Sequence, residues 1–437
     1  MVEVRNMRTT RVGEQRGYTS LYARLWAGLV ATLVAQPAWA TAELAALVDT
    51  ALAQNAQIAA IKAQIAALDQ QTIRAGAWQE PKLQLAYQNA PVDSLALGVE
   101  PMTMVMIRLE QTIPFPGKTG QRQDVARQAA EAKRWELAEW RQGLRAAVAT
   151  AYYRLALARQ LGALTADHVG LVAQLVDAVR IKYEVGRAAQ ESLLRLEVLR
   201  DRLKDDLGDF SAQQRAFTAA INAALHRDAV TPIATPRVLV LNPPTRTAAE
   251  LQAIAEASRP ALKQLGVAVQ MHRLAADLAL REAFPDATLF AAYGIRSALS
   301  ADNPGRDLVT FGATLPLPLF YAQRNAAQAA ADRDLADAAD AQRATLRDDI
   351  LQQLGQTLAT WRRAAEKVRT YREHLVPDAH RVLDATLASY QVDRADLLSL
   401  YDAELELLNF EKAIHVATAE GLVAQAATEK IVGRALP

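Results

Sequence analysis

A corner built on two prolines occurs twice in this chain of 437 residues, and its duplication constrains the fold more than any other feature. One copy reads IPFPGKTGQR from Ile113 and the other LPLPLFYAQR from Leu315, 202 positions later. A second echo has nearly the same spacing. YEVGRAAQESLLRLE begins at Tyr183 and YQVDRADLLSLYDAE at Tyr390, an offset of 207. Solenoid repeats have periods of about 20–50 residues. A period near 200 therefore marks the duplication of one large unit.

Both halves read in the same order. The first repeat, 41–227, has helical pattern over 43–79, a β-hairpin over 82–113, a long helix over 119–184, a turn at 185–189 and helix to 227. A proline-rich linker follows at 228–247, with a short apolar strand expected in VLVL. The second repeat, 248–437, has helix over 248–283, a β-hairpin over 286–315, helix over 321–390, a turn at 391–395 and helix to the end. The stretches 119–184 and 321–390 are each read as one uninterrupted helix of about 100 Å, against about 56 Å for the shorter 43–79 and 190–227. Two short helices stacked end to end match one long one, a geometry for a cylinder wall. Leu196, Leu199, Leu203, Leu207, Phe210, Phe217 and Ile221 recur at coiled-coil spacing.

The hairpins discriminate between a soluble bundle and something else. Val105, Ile107, Leu109 and Ile113 fall on one parity, with Met104, Met106, Arg108, Glu110 and Thr112 on the other. Val309, Phe311, Ala313 and Leu315 repeat the apolar parity in the second half. Segments of 9–11 residues suit a tilted crossing of a bilayer. Four strands cannot close a barrel, and open edges cannot face lipid. Three copies would supply twelve strands. Pro114 and Pro116, with their counterparts Pro316 and Pro318, then mark the junction between barrel strand and long helix, where proline ends ladder pairing and fixes the helix entry.

Composition removes most other classes. Cysteine is absent, which excludes disulfides, thiol chemistry and cysteine-ligated metal. The 6 histidines show no zinc-ligand spacing, so no metal or cofactor site is expected. Basic and acidic residues balance at 49 against 48, which gives no reason to expect a nucleic-acid partner. No nucleophile–base arrangement or phosphate loop points to an enzyme. Arg5, Arg8, Arg11, Arg16 and Arg24 precede the apolar run 25–35, and Ala38-Trp39-Ala40 fits a cleavage site, so residues 1–40 read as an export signal.

These residues resemble the outer-membrane factor family of TolC-like efflux proteins. The likeness covers the whole chain after residue 40 and is carried by QTIPFPGK with its echo ATLPLPLF, and by the two Tyr-x-Val-[Gly/Asp]-Arg turns. It implies an α+β membrane protein, mostly α. Members are homotrimers whose twelve-stranded outer-membrane β-barrel, four strands per chain, continues into a long periplasmic α-helical barrel. It implies an exit channel working with a periplasmic adaptor protein and an inner-membrane pump of the RND type, surrounded by outer-membrane lipid. An exit duct for type I protein secretion and a non-channel trimeric coiled-coil protein are the alternatives. EPMTMVMIRLEQTIPFPGK further resembles the branch serving heavy-metal pumps; Met102, Met104 and Met106 would share one strand face lining the barrel. By the same resemblance, Val185, Gly186 and Arg187 and their counterparts Val392, Asp393 and Arg394 are periplasmic tips that contact the adaptor. Asp393 stands where the family usually has glycine. Tyr390 and Asp402 match the tunnel-mouth constriction, Ser399 replaces a further aspartate of that pattern, and Asp396 is the nearby candidate to replace it.

Overall fold

The computed structural model describes residues 37–94, 96–186, 188–392 and 394–436. Most of the expected export signal, together with Arg187 and Asp393, lies outside the described residues.

Alternating sequence becomes one antiparallel sheet of four strands in the order β1-β2-β3-β4. They are β1 (Lys82–Gln88), β2 (Met104–Ile113), β3 (Ala287–Ile295) and β4 (Leu308–Thr314). Each hairpin pairs internally, and the two hairpins join through β2 and β3, with Val105 opposite Ile295 and Ile113 opposite Ala287. The halves of the sequence thus meet inside the sheet.

The helices are α1 (Pro37–Gln54), α2 (Ala56–Gly76), α3 (Lys118–Glu184), α4 (Gln190–Ala224), α5 (Ala248–Ser258), α6 (Pro260–Arg281), α7 (Tyr321–Thr370), α8 (Val376–Gln391) and α9 (Leu397–Val432). The 67 residues of α3 run unbroken, as expected. Three other expectations are corrected. The stretch 43–79 breaks at Asn55, whose side chain accepts from the N–H groups of Gln57 and Ile58 and so starts a new helix. The stretch 248–283 breaks at Arg259, where Pro260 opens α6. The stretch 321–390 is interrupted by a π turn over Tyr371–Leu375. Pro377 explains the turn: it lacks an N–H and crowds the preceding turn, and the wider π geometry, with Val376 N–H bonded to Tyr371 O, relieves that clash.

The expected strand in VLVL does not form, and among the described residues no other strand pairs with it. Its alternation survives without a ladder. Leu239 is buried in a cluster with Ala156, Ala419 and Leu422, while Val238 and Val240 point to solvent. Gln160 Nε2 donates to Arg237 O at 3.0 Å and holds the segment down.

Two compact units divide the chain, and each draws on both repeats. Of the described residues, one unit comprises those up to Ala51 with Val148–Pro243 and Arg363–Val423; the other comprises Leu52–Ala147, Pro244–Arg362 and those from Ala424 onward. In the first, Val172, Val176 and Val179 of α3 pack with Leu196, Leu199 and Leu203 of α4 and Leu397, Leu400 and Leu408 of α9. In the second, Arg259 is buried at the α5–α6 break. It donates to Ile431 O at 3.0 Å, neutralising the C-terminus of α9, and to Glu139 Oε1 at 3.1 Å.

The first proline corner also belongs to the second unit. Phe115, between Pro114 and Pro116, stacks on Phe284 with centroids 4.6 Å apart. Gly117 has φ +88, a left-handed conformation that strains any L side chain, and a Cβ there would also displace the Arg281 guanidinium. Asp286 Oδ1 accepts from Lys118 Nζ at 2.7 Å and from Phe115 N at 2.8 Å. Burial pushes the Asp286 carboxyl up, but the Lys118 ammonium and the Phe115 N–H outweigh it and hold the group below its ordinary value. Asp286→Ala removes both bonds and leaves Lys118, whose side chain is 5% exposed, without its partner. The expected cost is about 2–3 kcal/mol in thermal unfolding of the detergent-solubilised protein, with Asp286→Asn milder. Because the folded value is depressed, this contribution is present above about pH 3.9 and is lost as the pH falls through the lower folded value.

Candidate functional site

The sheet has two chemically distinct faces. Register puts Leu83, Leu85 and Tyr87 of β1 beside Leu109, Ile107 and Val105 of β2. The same face continues through Tyr293, Ala291 and Leu289 of β3 to Val309, Phe311 and Ala313 of β4. Gln111 is its one polar strand residue, and its amide is bonded to the backbone oxygens of Gln79 and Thr112. The opposite face carries Lys82, Gln84, Gln88, Arg108, Glu110, Thr112, Thr288, Thr310 and Thr314. There Arg108 lies over the Phe290 ring at 3.8 Å and pairs with Glu110 at 3.4 Å. Gly312 gives that ring room, since a Cβ would approach it to 2.5 Å. An apolar face on an unpaired four-stranded sheet suits lipid, and a polar face suits a water-filled lumen.

The expected face of three methionines is corrected. Met102 precedes β2, in the connection, where its carbonyl accepts from Asn89 Nδ2. Met104 and Met106 share the polar face, but Met104 is buried against Gly294. Among the described residues no cluster of histidine and carboxylate side chains has the geometry to hold a metal ion.

All four corner prolines fall between a strand end and a helix start: Pro114 and Pro116 between Ile113 and Lys118, Pro316 and Pro318 between Thr314 and Tyr321. Leu317, Leu319 and Phe320 of the second corner are exposed.

At the helical turns, Val185 and Gly186 follow the end of α3, and Gly186 has φ +71 with open space around it. Val392 and Arg394 lie between α8 and α9 and are exposed. Tyr390 closes α8, with Lys182 Nζ 4.1 Å from its ring centroid. Asp396 caps α9: its Oδ1 accepts from Ser399 N at 2.9 Å and from Ser399 Oγ at 2.5 Å. These bonds hold its carboxyl below the ordinary value. Asp402 is exposed six residues further along α9. Asp396 also lines a pocket of ≈ 190 Å³ with Glu191, Ser192, Arg195 and Tyr401.

The sequence reading missed a buried ionic cluster in the first unit. His168 Nδ1 of α3 meets Glu404 Oε1 of α9 at 2.5 Å, and His168 Nε2 meets Glu411 Oε2 at 3.2 Å. His380 Nε2 of α8 lies 3.5 Å from Glu411 Oε1. Burial pushes His168 down, yet its two hydrogen-bonded carboxylates carry it up to about 9. Burial likewise pushes Glu411 up, and the two histidines bring it down to about 2. The signal was present: Leu397, Leu400, Glu404, Leu408, Glu411 and His415 step by 3, 4, 4, 3 and 4, which puts charge in an otherwise apolar seam.

The family model for outer membrane efflux proteins matches residues 47–225 and 251–434. The chain belongs to the outer membrane efflux protein family. The outer membrane is accordingly its location. Among solved structures, this efflux protein is similar to VceC from Vibrio cholerae, at 18% identity and TM-score 0.74, over 91% of this chain and 97% of that one. The open state of the Neisseria gonorrhoeae MtrE outer membrane channel aligns at 17% identity and TM-score 0.73, over 90% and 89% of the two chains. CusC, whose structures concern folding and transmembrane channel formation, aligns at 15% identity and TM-score 0.74, over 90% and 92%. No curated protein matches the efflux protein by sequence.

Gly186 supplies a test of the first turn. A left-handed φ costs an L-residue about 1–2 kcal/mol, and with open space around the site no clash adds to it. Gly186→Ala should therefore lower stability in chemical denaturation by that amount, and Gly186→Asn by less.

Proposed function

We propose that three copies of this chain form a passive exit channel, with their three sheets closed into one twelve-stranded barrel. The observation that carries the reading is the two-faced sheet, apolar on one side and polar on the other, with both edges unpaired among the described residues. Chemistry is absent from the reading: the chain conducts and does not catalyse. An inner-membrane pump of the RND type delivers the substrate, and a periplasmic adaptor protein joins pump to channel.

On this reading the corner prolines stand at the junction of barrel and tunnel. The exposed Leu317, Leu319 and Phe320 are then covered by a neighbouring copy. Val185, Gly186 and Arg187, with Val392, Asp393 and Arg394, contact the adaptor. Tyr390, Asp396 and Asp402 narrow the tunnel mouth. Heavy-metal cations fit the resemblance of EPMTMVMIRLEQTIPFPGK to the metal-pump branch. Met104, packed against Gly294, contributes to that wall as a spacer and not as a ligand.

Protein purified from outer membranes should run as a detergent-stable trimer and form pores in planar bilayers. A monomer that does not insert would refute the channel. If three copies each of Asp396 and Asp402 ring the mouth, the pore prefers cations, as acidic rings dictate. Asn at position 396 still caps a helix, so Asp396→Asn with Asp402→Asn removes charge without removing the cap. The double variant should show a reversal potential shifted toward non-selectivity and weaker block by multivalent cations. Unchanged values would take these residues out of the mouth.

A further inference from the structure

The contact that seats the first proline corner occurs twice in the sequence, but only one copy of it forms inside the chain. One half of the contact is the corner itself. Phe115 and Lys118 correspond, 202 positions on, to Leu317 and Phe320. The other half is the segment that leads into β3. Phe284, Asp286, Leu289, Ala292 and Tyr293 match Trp78, Glu80, Leu83, Ala86 and Tyr87 at a constant offset of 206. In the copy that forms, Phe115 stacks on Phe284 and its N–H donates to Asp286, which leaves Phe115 half-buried and Lys118 buried. In the other copy both halves are bare: every residue over 77–85 and over 313–320 is exposed, with Trp78 at 59% and Leu317 at 77%. The strands beside them, β1 and β4, are the two outer strands of the sheet. One chain could join them only by closing a four-stranded barrel, half the smallest known.

We propose that the second copy of this contact forms between chains: Leu317 packs on Trp78 of the neighbouring copy, whose Glu80 accepts from the Leu317 N–H, and β4 pairs with that copy's β1 in one register dictated by the duplication. This deepens the reading of three copies closed into a barrel and rests on it. The register follows from the internal one, in which Thr112 opposes Thr288, Arg108 opposes Ala292 and Met106 opposes Gly294. The two offsets carry these pairs to Thr314 with Lys82, Thr310 with Ala86 and Leu308 with Gln88. All 7 residues of β4 then face all 7 of β1. A slip by two in either direction would leave strand ends unpaired. The faces agree as well, because Val309, Phe311 and Ala313 meet Tyr87, Leu85 and Leu83, apolar against apolar. One difference separates the two contacts. Phe320 stands where Lys118 pairs with Asp286, and Gly76 where Glu282 pairs with Arg122, so neither ion pair is repeated. The joint between copies is apolar where the internal one is ionic.

The chain has no cysteine, so introduced pairs report alone. In full-length protein in outer membranes, Thr310→Cys with Ala86→Cys should on mild oxidation link all three copies into a covalent trimer that survives SDS. Directly opposed Cβ atoms lie about 4.5–5.5 Å apart and diagonal neighbours about 7–8 Å. Thr310→Cys combined with Gln84→Cys or with Gln88→Cys should therefore link severalfold less. Positions 86 and 310 of one chain are three strand spacings apart, about 14 Å, so the link reports neighbouring copies. The corner is read separately, from the fraction of trimer that resists SDS on warming. Trp78→Ala and Leu317→Ala should each lower it severalfold, and the double variant should lose no more than the worse single, as contacting residues do. Should Trp78→Ala not assemble, Trp78→Phe restores the ring that Phe284 supplies in the internal contact and should assemble; its failure overturns the corner contact. Preferential linking through position 84 or 88, no linking in a protein that is trimeric, or losses that add in the double variant each overturn the proposal while the channel stands. A protein that stays monomeric in the membrane defeats the channel reading and this joint with it.

Discussion

Unpaired backbone at the two edges of the sheet is the constraint on which the rest of the structure depends. β1 and β4 each present one side with no ladder partner among the described residues, while their apolar face is built for hydrocarbon. Each unsatisfied N–H or C=O in lipid costs several kcal/mol, so a strand edge in a bilayer must be paired. Within this chain no further strand is available among the described residues. Pairing must come from other copies, which then have to present β1 and β4 in register. The corners serve that requirement. Proline at 114 and 116 stops the ladder at Ile113, and the Asp286 bonds to Phe115 and Lys118 fix where α3 begins relative to β3.

Much of this was legible because membrane strands and long helices leave strong periodic signals. The hairpins expected at 82–113 and 286–315 contain strand pairs spanning 82–113 and 287–314, and alternation pins their register because a one-residue slip would exchange the two faces. The constant offset between IPFPGK and LPLPLF exposed the paired architecture without any energetic argument. What was missed is instructive. The break at Asn55 depends on one side chain choosing to cap, and the same asparagine in the middle of a helix would only lower its propensity. Pro377 was passed over inside an otherwise continuous pattern, and one π turn lets the helical path continue past it. VLVL has strand alternation, but a ladder needs a neighbour, which no local pattern reveals. At the candidate mouth, sequence located Asp396 and Asp402 but not the capping bonds that Asp396 makes with Ser399.

Polar residues in the helical seam raise a different question, because hydrophobic packing alone would have been cheaper. Val172, Val176 and Val179 with Leu196, Leu199 and Leu203 already bury a continuous apolar strip. Thr165 and His168 interrupt it on α3, and Glu404 interrupts it on α9, all of them buried. Replacing buried ion pairs by well-packed apolar side chains is often neutral or stabilising, so net stability is a poor reason for them. Register is a better one. Leucine seams on long helices resemble themselves one turn along, and a shift of about 5.4 Å would leave most apolar contacts intact. The same shift would take Glu404 away from His168, the partner of its Oε1, while its Oε2 already has none. A buried charge therefore penalises the slipped packings far more than it costs the native one, as single polar residues do in coiled coils. Helices as long as the 67 residues of α3 have many such slipped alternatives. The ionic cluster disfavours them along α3 and α9.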